Sequence, residues 1–328
     1  MKYIINKSTN PSYNFALEEY FLKETNDSVF MIWQNEPTVL LGRCQNRNLE
    51  VNLDYTRKNN INIVRRLSGG GTVYCDLNNM QYSFITKRDD TDNNLFKSFA
   101  EPVIWALNNL GLNAEFTGRN DILLDGKKIS GNAQYKWKDR IIHHGTLLFD
   151  ADMNILSNSL KTREIKFIDK NVQSHRSRVG QIKNYTDMNV LEFLNYIAQN
   201  IVKFHNITEI REPNTHEEEA LKKYLSDFPD LNFVEDEDMF KKYFAKKYPF
   251  GLVEYGLVDE QGKIKKLKIM GDFFLNKEID EFVNSVIGKQ ITDLKNNMSK
   301  NIGDYIDGMT NENFVDDLLQ LTRGEENE

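Results

Sequence analysis

Apolar positions along the chain recur with two periods, one helical and one strand-like. In SYNFALEEYFLK, Tyr13, Ala16, Leu17, Tyr20 and Phe21 fall at helical spacing, which predicts an amphipathic helix with Ser12 as its N-cap. TVLLGR and INIVRR are short apolar runs that predict buried strands, each running out into arginine. MQYSFITK alternates and predicts a strand over 80–87. EPVIWALNNLGL reads as a helix closed by Gly111. DILLDGKKISGNA reads as strand, Asp-Gly turn, strand, and DRIIHHGTLLFD adds another strand. TDMNVLEFLNYIAQNIVKF places Val190, Leu194, Ile197 and Ile201 on one helical stripe.

From about 209 to 247 the chain is charge-rich and predicts mostly helix, ending in KKYFAKKYP. FGLVEYGLVDEQGKIKKLKIMGDFF then gives two or three strands with glycine-marked turns. Two helices follow near 278–288 and 311–322, the second with Phe314, Val315, Leu318 and Leu319 on one face and Gly324 as a stop. The pattern predicts an α/β (α+β) protein. Its expected parts are a large domain over 1–240, a linker over 241–250 and a small C-terminal α/β unit over 251–328.

Composition narrows the class. At 328 residues and 40% apolar, the chain suits one large domain with a small one. No apolar run reaches membrane-spanning length and the N-terminus lacks a signal-peptide core, so a cytoplasmic protein is expected, with no membrane partner. Cys44 and Cys75 are the two cysteines, which argues against a disulfide framework; no CxxC or HExxH pair points to structural zinc. With 42 Lys and Arg against 49 Asp and Glu, the net charge of −7 disfavours general nucleic-acid binding, which rests on neutralising phosphates.

The stretch RRLSGGGTVY, residues 65–74, carries the strongest chemical signal. Three glycines after a strand leave backbone N–H groups open to an anion, and Arg65 and Arg66 offer forked donors for phosphate or carboxylate, with a hydroxyl from Ser68. The stretch reads as a nucleotide or acyl-phosphate site, against the plainer reading of a flexible loop between surface arginines. It is not a P-loop, a dinucleotide fingerprint or a kinase glycine loop by pattern. In GRNDILLDGKKISGNAQ, a polar Arg119-Asn120-Asp121 opens a strand, and strand alternation places Lys128, Ser130 and Asn132 on one face. Lys128 is then either a solvated hairpin lysine or a donor to charge developing on oxygen. His143 and His144 point to opposite faces, one toward a site and one into packing. Arg176 and Arg178 in SHRSRVGQI are weaker anion candidates.

RRLSGGGTVYCDLNN, GRNDILLDGKKISGNAQ, HHGTLLF and SHRSRVGQI, in that order, resemble the lipoate–protein ligases; NFALEEYFL and PTVLLGRCQN fit as well. The resemblance covers about 14–182, and the C-terminal unit is similar to the accessory domain of two-domain members. It implies a mixed-sheet catalytic domain of the biotin/lipoate ligase type. It also implies activation of lipoate by ATP with Mg2+ to an acyl-adenylate, then transfer of the lipoyl group to a lysine of a carrier domain. The implied carriers are 2-oxoacid dehydrogenase E2 subunits and the glycine cleavage H protein, and the implied state is a monomer.

By motif, Lys128 matches the family's central lysine, and Arg66 and Ser68 the positions facing lipoate and nucleotide. Gly69 and Gly70 belong to the same loop, and Gly71, Thr72, Val73 and Tyr74 match the stretch along the adenine nucleotide. Asn79, Asn120 and Asp121 match contacts to phosphate, ribose or metal, with no metal-ligand set identified; Trp33 and His144 would line the pocket, and Val64 and Leu67 its apolar slot. Cys75 stands where many members have histidine, either contacting the adenylate or buried as structure, and Asn78 where glycine is usual. KKYFAKKYP and GKIKKLK are candidate docking faces for an acidic carrier. A transferase moving acyl groups between carriers without ATP shares these motifs, although the cysteine some relatives use beyond the lysine strand has no counterpart after residue 75.

Overall fold

The computed structural model describes residues 1–92, 94–161, 179–234, 240 and 242–323. Strand β1 (Lys2–Ile4) leads to a helix, Pro11–Glu24. Strands β2 (Val29–Trp33), β3 (Thr38–Leu41), β4 (Asn62–Arg65), β5 (Val73–Cys75) and β6 (Met80–Lys87) follow. After the helix Leu95–Asn109 come β7 (Ala114–Thr117), β8 (Asp121–Leu124), β9 (Lys127–Trp137) and β10 (Arg140–Leu147). The helix Val190–Phe204, β11 (Glu209–Arg211) and the helix Thr215–Leu225 complete this part.

A mixed eight-stranded sheet runs β11-β1-β2-β6-β10-β9-β8-β7. Its centre is antiparallel, β10 pairing β6 from Arg140↔Lys87 to Leu147↔Met80. Alternation of side chains gives the sheet two apolar faces. One packs Tyr82, Phe84 and Ile129 under the helices Leu95–Asn109 and Val190–Phe204. The other packs Met31, Trp33 and Ile142 against Phe15, Leu17 and Phe21 of the first helix. A smaller sheet, β4-β3-β5, holds the glycine loop between β4 and β5.

The first helix is capped by Asn10, whose side chain accepts from the Tyr13 amide, with Pro11 in the first turn; Ser12 instead donates to the Phe228 carbonyl. Proline favours the first helical position because it has no N–H to leave unpaired, so the cap falls two residues earlier than expected, just before it. The second long helix starts at Leu95, earlier than expected, and runs through Pro102. The Asp125-Gly126 turn has both residues at positive φ, 49° and 74°, which suits this dipeptide.

The C-terminal unit is a meander of β12 (Lys242–Tyr248), β13 (Gly251–Glu260) and β14 (Lys263–Gly271), with helices Ile279–Val286 and Asn311–Arg323 on it. Its core joins Tyr255, Phe273, Phe282 and Phe314. KKYFAKKYP, expected to close a helical stretch and to reach into a linker, is instead strand β12, paired with β13 from Lys242↔Leu257 to Tyr248↔Gly251. Alternating Tyr243, Ala245 and Lys247 against Phe244 and Lys246 suits an edge strand as well as a charged helix, and pairing with β13 decides it. Gly324 lies outside the described residues. Among the described residues no helix is long and apolar enough to cross a membrane.

Candidate active site

The glycine loop, β9, β10 and the C-terminal unit enclose a cavity of about 330 Å³. Of the residues singled out in the sequence, Trp33, Arg66, Gly70, Gly71, Thr72, Val73, Arg119, Asn120, Lys128, Asn132 and His144 line it.

Arg66 is buried and donates to four acceptors: Ser68 Oγ at 3.1 Å and the carbonyls of Leu40, Gly69 and Gly71 at 3.1, 2.8 and 2.7 Å. Burial, with Arg65 alongside, pushes its guanidinium down to about 10, so it remains charged at neutral pH. No carboxylate among the described residues bonds to it, and a buried cation held only by neutral acceptors favours an anion in the adjoining cavity. Arg65 faces elsewhere: its Nη1 donates to the carbonyls of Gly42, Arg43 and Gln45, so it shapes the 42–45 turn and does not line the cavity.

Ser68 sits behind the loop. Its hydroxyl meets His144 Nε2 at 2.6 Å, and His144 Nδ1 meets Glu18 Oε1 at 3.2 Å. The chain Glu18–His144–Ser68–Arg66 fixes the imidazole's Nδ1–H on the carboxylate and the serine proton on Nε2. Glu18 escaped sequence reading; its signal is a carboxylate at a core-facing position of the first helix, four residues before Leu22 and two after Ala16. His143 points to the other face, stacked on Phe99 and bonded to Asn132 Oδ1 at 3.0 Å.

A bulge in β9 repositions Lys128. Leu123 pairs with Lys128 and Ile122 with Ser130, so Ile129 is an extra residue and alternation breaks there. Lys128 therefore shares a face with Gly131, Ala133 and His144, while Ser130 and Asn132 turn toward Tyr82 and His143; the expected common face of 128, 130 and 132 does not form. A Cβ at Gly131 would sit 3.2 Å from Lys128 Cε and Nζ, so that glycine lets the lysine lie across β9 into the cavity. Lys128 Nζ forms an ion pair with Asp121 Oδ1 at 2.8 Å. Asn120 is stitched to β9, its Nδ2 donating to the Asn132 carbonyl at 2.7 Å.

Other expected contacts do not reach the cavity. Cys75 is fully buried between Thr38 and Asn35, and burial pushes its thiol up to about 12; β5 alternation turns it into the core. Tyr74 packs with Val39 and Ile63 in the small-sheet core. Asn79 bonds Asp76 Oδ1 at 2.8 Å and receives the Phe149 amide at 3.0 Å, fixing a turn. Val64 and Leu67 pack in the core behind the loop; the apolar lining comes from Phe15, Trp33, Leu40, Val73 and Phe274. Arg176 and Arg178 lie outside the described residues.

The C-terminal unit supplies a wall that sequence reading missed: Lys247, Phe250, Asp272 and Phe274 line the cavity. The Gly70 amide donates to the Phe273 carbonyl at 3.1 Å, and the Gly271 amide to the Cys44 carbonyl at 2.9 Å. Phe274 stacks under the Arg119 guanidinium, 4.3 Å from its ring centre, and Tyr135 bonds Glu278 at 2.9 Å. Two of the three glycines thus serve close packing: a Cβ at Gly69 would lie 2.4 Å from the Phe273 carbonyl oxygen, and Gly70 has φ +89°. Gly71 has open space around it.

Residues 10–202 match the profile of the lipoyl protein ligase A/B catalytic domain, and residues 238–318 that of the bacterial lipoate protein ligase C-terminus. The chain belongs to the lipoate–protein ligase family. The lipoate-protein ligase LplJ of Bacillus subtilis (strain 168) is 38% identical over 331 residues, spanning 96% of this chain and 99% of that one. Among solved structures, LipL1 of P. falciparum in complex with lipoate shares the fold over 97% of each chain, with a TM-score of 0.77 at 22% identity. A lipoate-protein ligase A bound with ATP has a TM-score of 0.60 and 28% identity, covering 69% of this chain and 94% of its own. A bi-partite lipoate protein ligase, described with its E2 lipoyl domain from Thermoplasma acidophilum, has a TM-score of 0.62 and 27% identity, covering 73% of this ligase and 98% of itself.

Proposed function

We propose that this ligase activates lipoate with ATP to lipoyl-adenylate, releasing pyrophosphate, and passes the lipoyl group to a lysine amine of a lipoyl carrier domain such as an E2 subunit or the H protein. The observation that carries the reading is a cavity lined by cations, among them Lys128 and the carboxylate-free Arg66, together with apolar Phe15, Trp33 and Leu40. An acid with a polar head and an apolar tail suits that division. An ATP-bound relative and one described with its E2 lipoyl domain support the nucleotide and the partner.

In the first step the lipoate carboxylate attacks the α-phosphorus and pyrophosphate leaves. Lys128 exchanges its Asp121 contact for the carboxylate and phosphoryl oxygens, and its charge offsets theirs in both steps. Arg66 holds the loop in shape and supplies the buried positive field. In the second step the carrier amine attacks the acyl carbon and AMP leaves. Magnesium is carried chiefly by phosphates and needs only one or two protein carboxylates. Asp121, beside Lys128, suits that place; among the described residues no three-ligand cluster forms.

The division of the chain belongs to the same proposal: β12 opens the C-terminal unit, and that unit closes the cavity through Phe273 and Phe274 and withdraws to admit the carrier. The test is pyrophosphate release from ATP with and without lipoate, for wild type and Lys128→Ala, followed by addition of a carrier domain. Lipoate-dependent release that falls by at least 10²-fold in the variant is expected. Acyl transfer between carriers with no pyrophosphate release would instead make the protein an ATP-independent transferase.

A further inference from the structure

At one end of the cavity several buried side-chain polar atoms lack hydrogen-bond partners among the described residues. Trp33 on β2 pairs with Gln81 on β6, and Gln81 pairs with Thr146 on β10. Ser83 is two residues from Gln81 on the same face, opposite His144. All these side chains share the face on which Lys128 lies, so the cavity crosses β9, β10, β6 and β2 from the lysine to the tryptophan. Three strand spacings amount to roughly 14 Å, enough for an extended eight-carbon acid.

Arg66, Ser68, Asn120, Lys128 and His144 all have partners. At the Trp33 end, the indole Nε1 of Trp33, both amide atoms of Gln81 and the hydroxyl of Ser83 have none among the described residues. Gln81 is 3% exposed and Trp33 1%, and both line the cavity. A buried amide with neither end bonded is rare in a folded protein, and a ligand group that completes it explains its retention.

We infer that this end of the cavity hydrogen-bonds the far end of the acyl substrate, and that Gln81 makes the enzyme prefer an acid with sulfur or oxygen there over a plain alkanoic acid. The inference rests on the lipoate-activating reading. With the carboxylate at Lys128, the dithiolane reaches Trp33 and Gln81. Its divalent sulfurs are soft, weak acceptors for the Gln81 amide and the Trp33 indole N–H. The methyl end of octanoate offers nothing to those groups and leaves them unpaired. Sites built to hydrogen-bond a substrate discriminate in this way against analogues that lack the group.

The test compares lipoate, octanoate and 8-hydroxyoctanoate on the full-length protein, by calorimetric binding without ATP and by pyrophosphate release with it. For the near-isosteric Gln81→Met, kcat/KM for lipoate is expected to fall roughly ten-fold while that for octanoate holds or rises. A lipoate-to-octanoate ratio equal to wild type overturns the inference, including the case where both fall together. Wild type alone gives an independent reading that does not depend on the variant folding: 8-hydroxyoctanoate should bind more tightly than octanoate, and the reverse order overturns the inference. Selective binding without pyrophosphate release would sink ATP activation and leave this specificity standing; binding of none of the acids would sink both.

Discussion

Gly69→Ala is the sharpest test of how the C-terminal unit meets the glycine loop. A Cβ at this position would lie 2.4 Å from the Phe273 carbonyl oxygen and 3.2 Å from the Phe274 Cα, both main-chain atoms that cannot rotate away. Ordinary contact begins near 3.4 Å, so the two segments must part by about an ångström. Residue 69 does not occupy the left-handed region, so alanine adds no backbone strain and the effect is one of contact. Parting stretches the 3.1 Å bond from the Gly70 amide to the Phe273 carbonyl and lifts Phe274 from Arg119. Overpacking of this kind costs about 1–3 kcal/mol, which weakens docking roughly 5- to 150-fold. Amide hydrogen exchange reads it directly: protection at Gly70 should fall by that factor. Gly71→Ala is the control, since nothing lies within 4 Å of its Cβ and its φ is unexceptional; its exchange pattern should match wild type. If Gly69→Ala kept wild-type protection at residue 70, the account of the loop as a packing seat would be wrong.

Two further predictions concern buried groups. Burial, with His144 nearby, holds His143 well below its ordinary pKa, so the folded state resists its protonation while the unfolded chain takes a proton near 6.5. The stability this gives is complete above pH 6.5 and is lost on acidification below it, by up to about 1.4 kcal/mol per pH unit. Thermal melts from pH 7.5 to 5.5 should show that slope in wild type and a shallower one in His143→Gln; equal slopes would remove His143 from the account. Cys75→Ala should lower stability by about 1–2 kcal/mol through a small cavity, while KM for ATP and for lipoate stays put, because the thiol contacts Thr38 and Asn35 and not the cavity. A change in either KM would restore Cys75 to the site.

Much of this arrangement is local and can be read from the chain. The alternation of MQYSFITK gives β6 its bounds, and Asp125-Gly126 gives the hairpin, because each depends on near neighbours. The cavity wall from Phe250, Asp272 and Phe274 depends on a docking between segments some two hundred residues apart, and no periodicity reports it. The β9 bulge is hidden for another reason. A period-two reading assigns Lys128 the face of Ser130, and only the one-residue mismatch with β8 moves the lysine to the cavity side. KKYFAKKYP shows how pairing overrides composition, since its charges suit either state and β13 selects the strand. The glycine run shows a different limit. Its spacing announces that the backbone must be approached closely, but three glycines in a row do not say by what. In the folded chain Gly69 and Gly70 answer to Phe273 and Phe274, and Gly71 faces open space beside the cavity. The motif therefore encodes two demands at once, a seat for the C-terminal unit and an open backbone edge for a ligand. These share one peptide unit at Gly70, whose amide already donates to Phe273. Any ligand group that takes the Gly70 amide must displace that carbonyl, so occupancy of the loop and docking of the C-terminal unit are coupled through a single hydrogen bond.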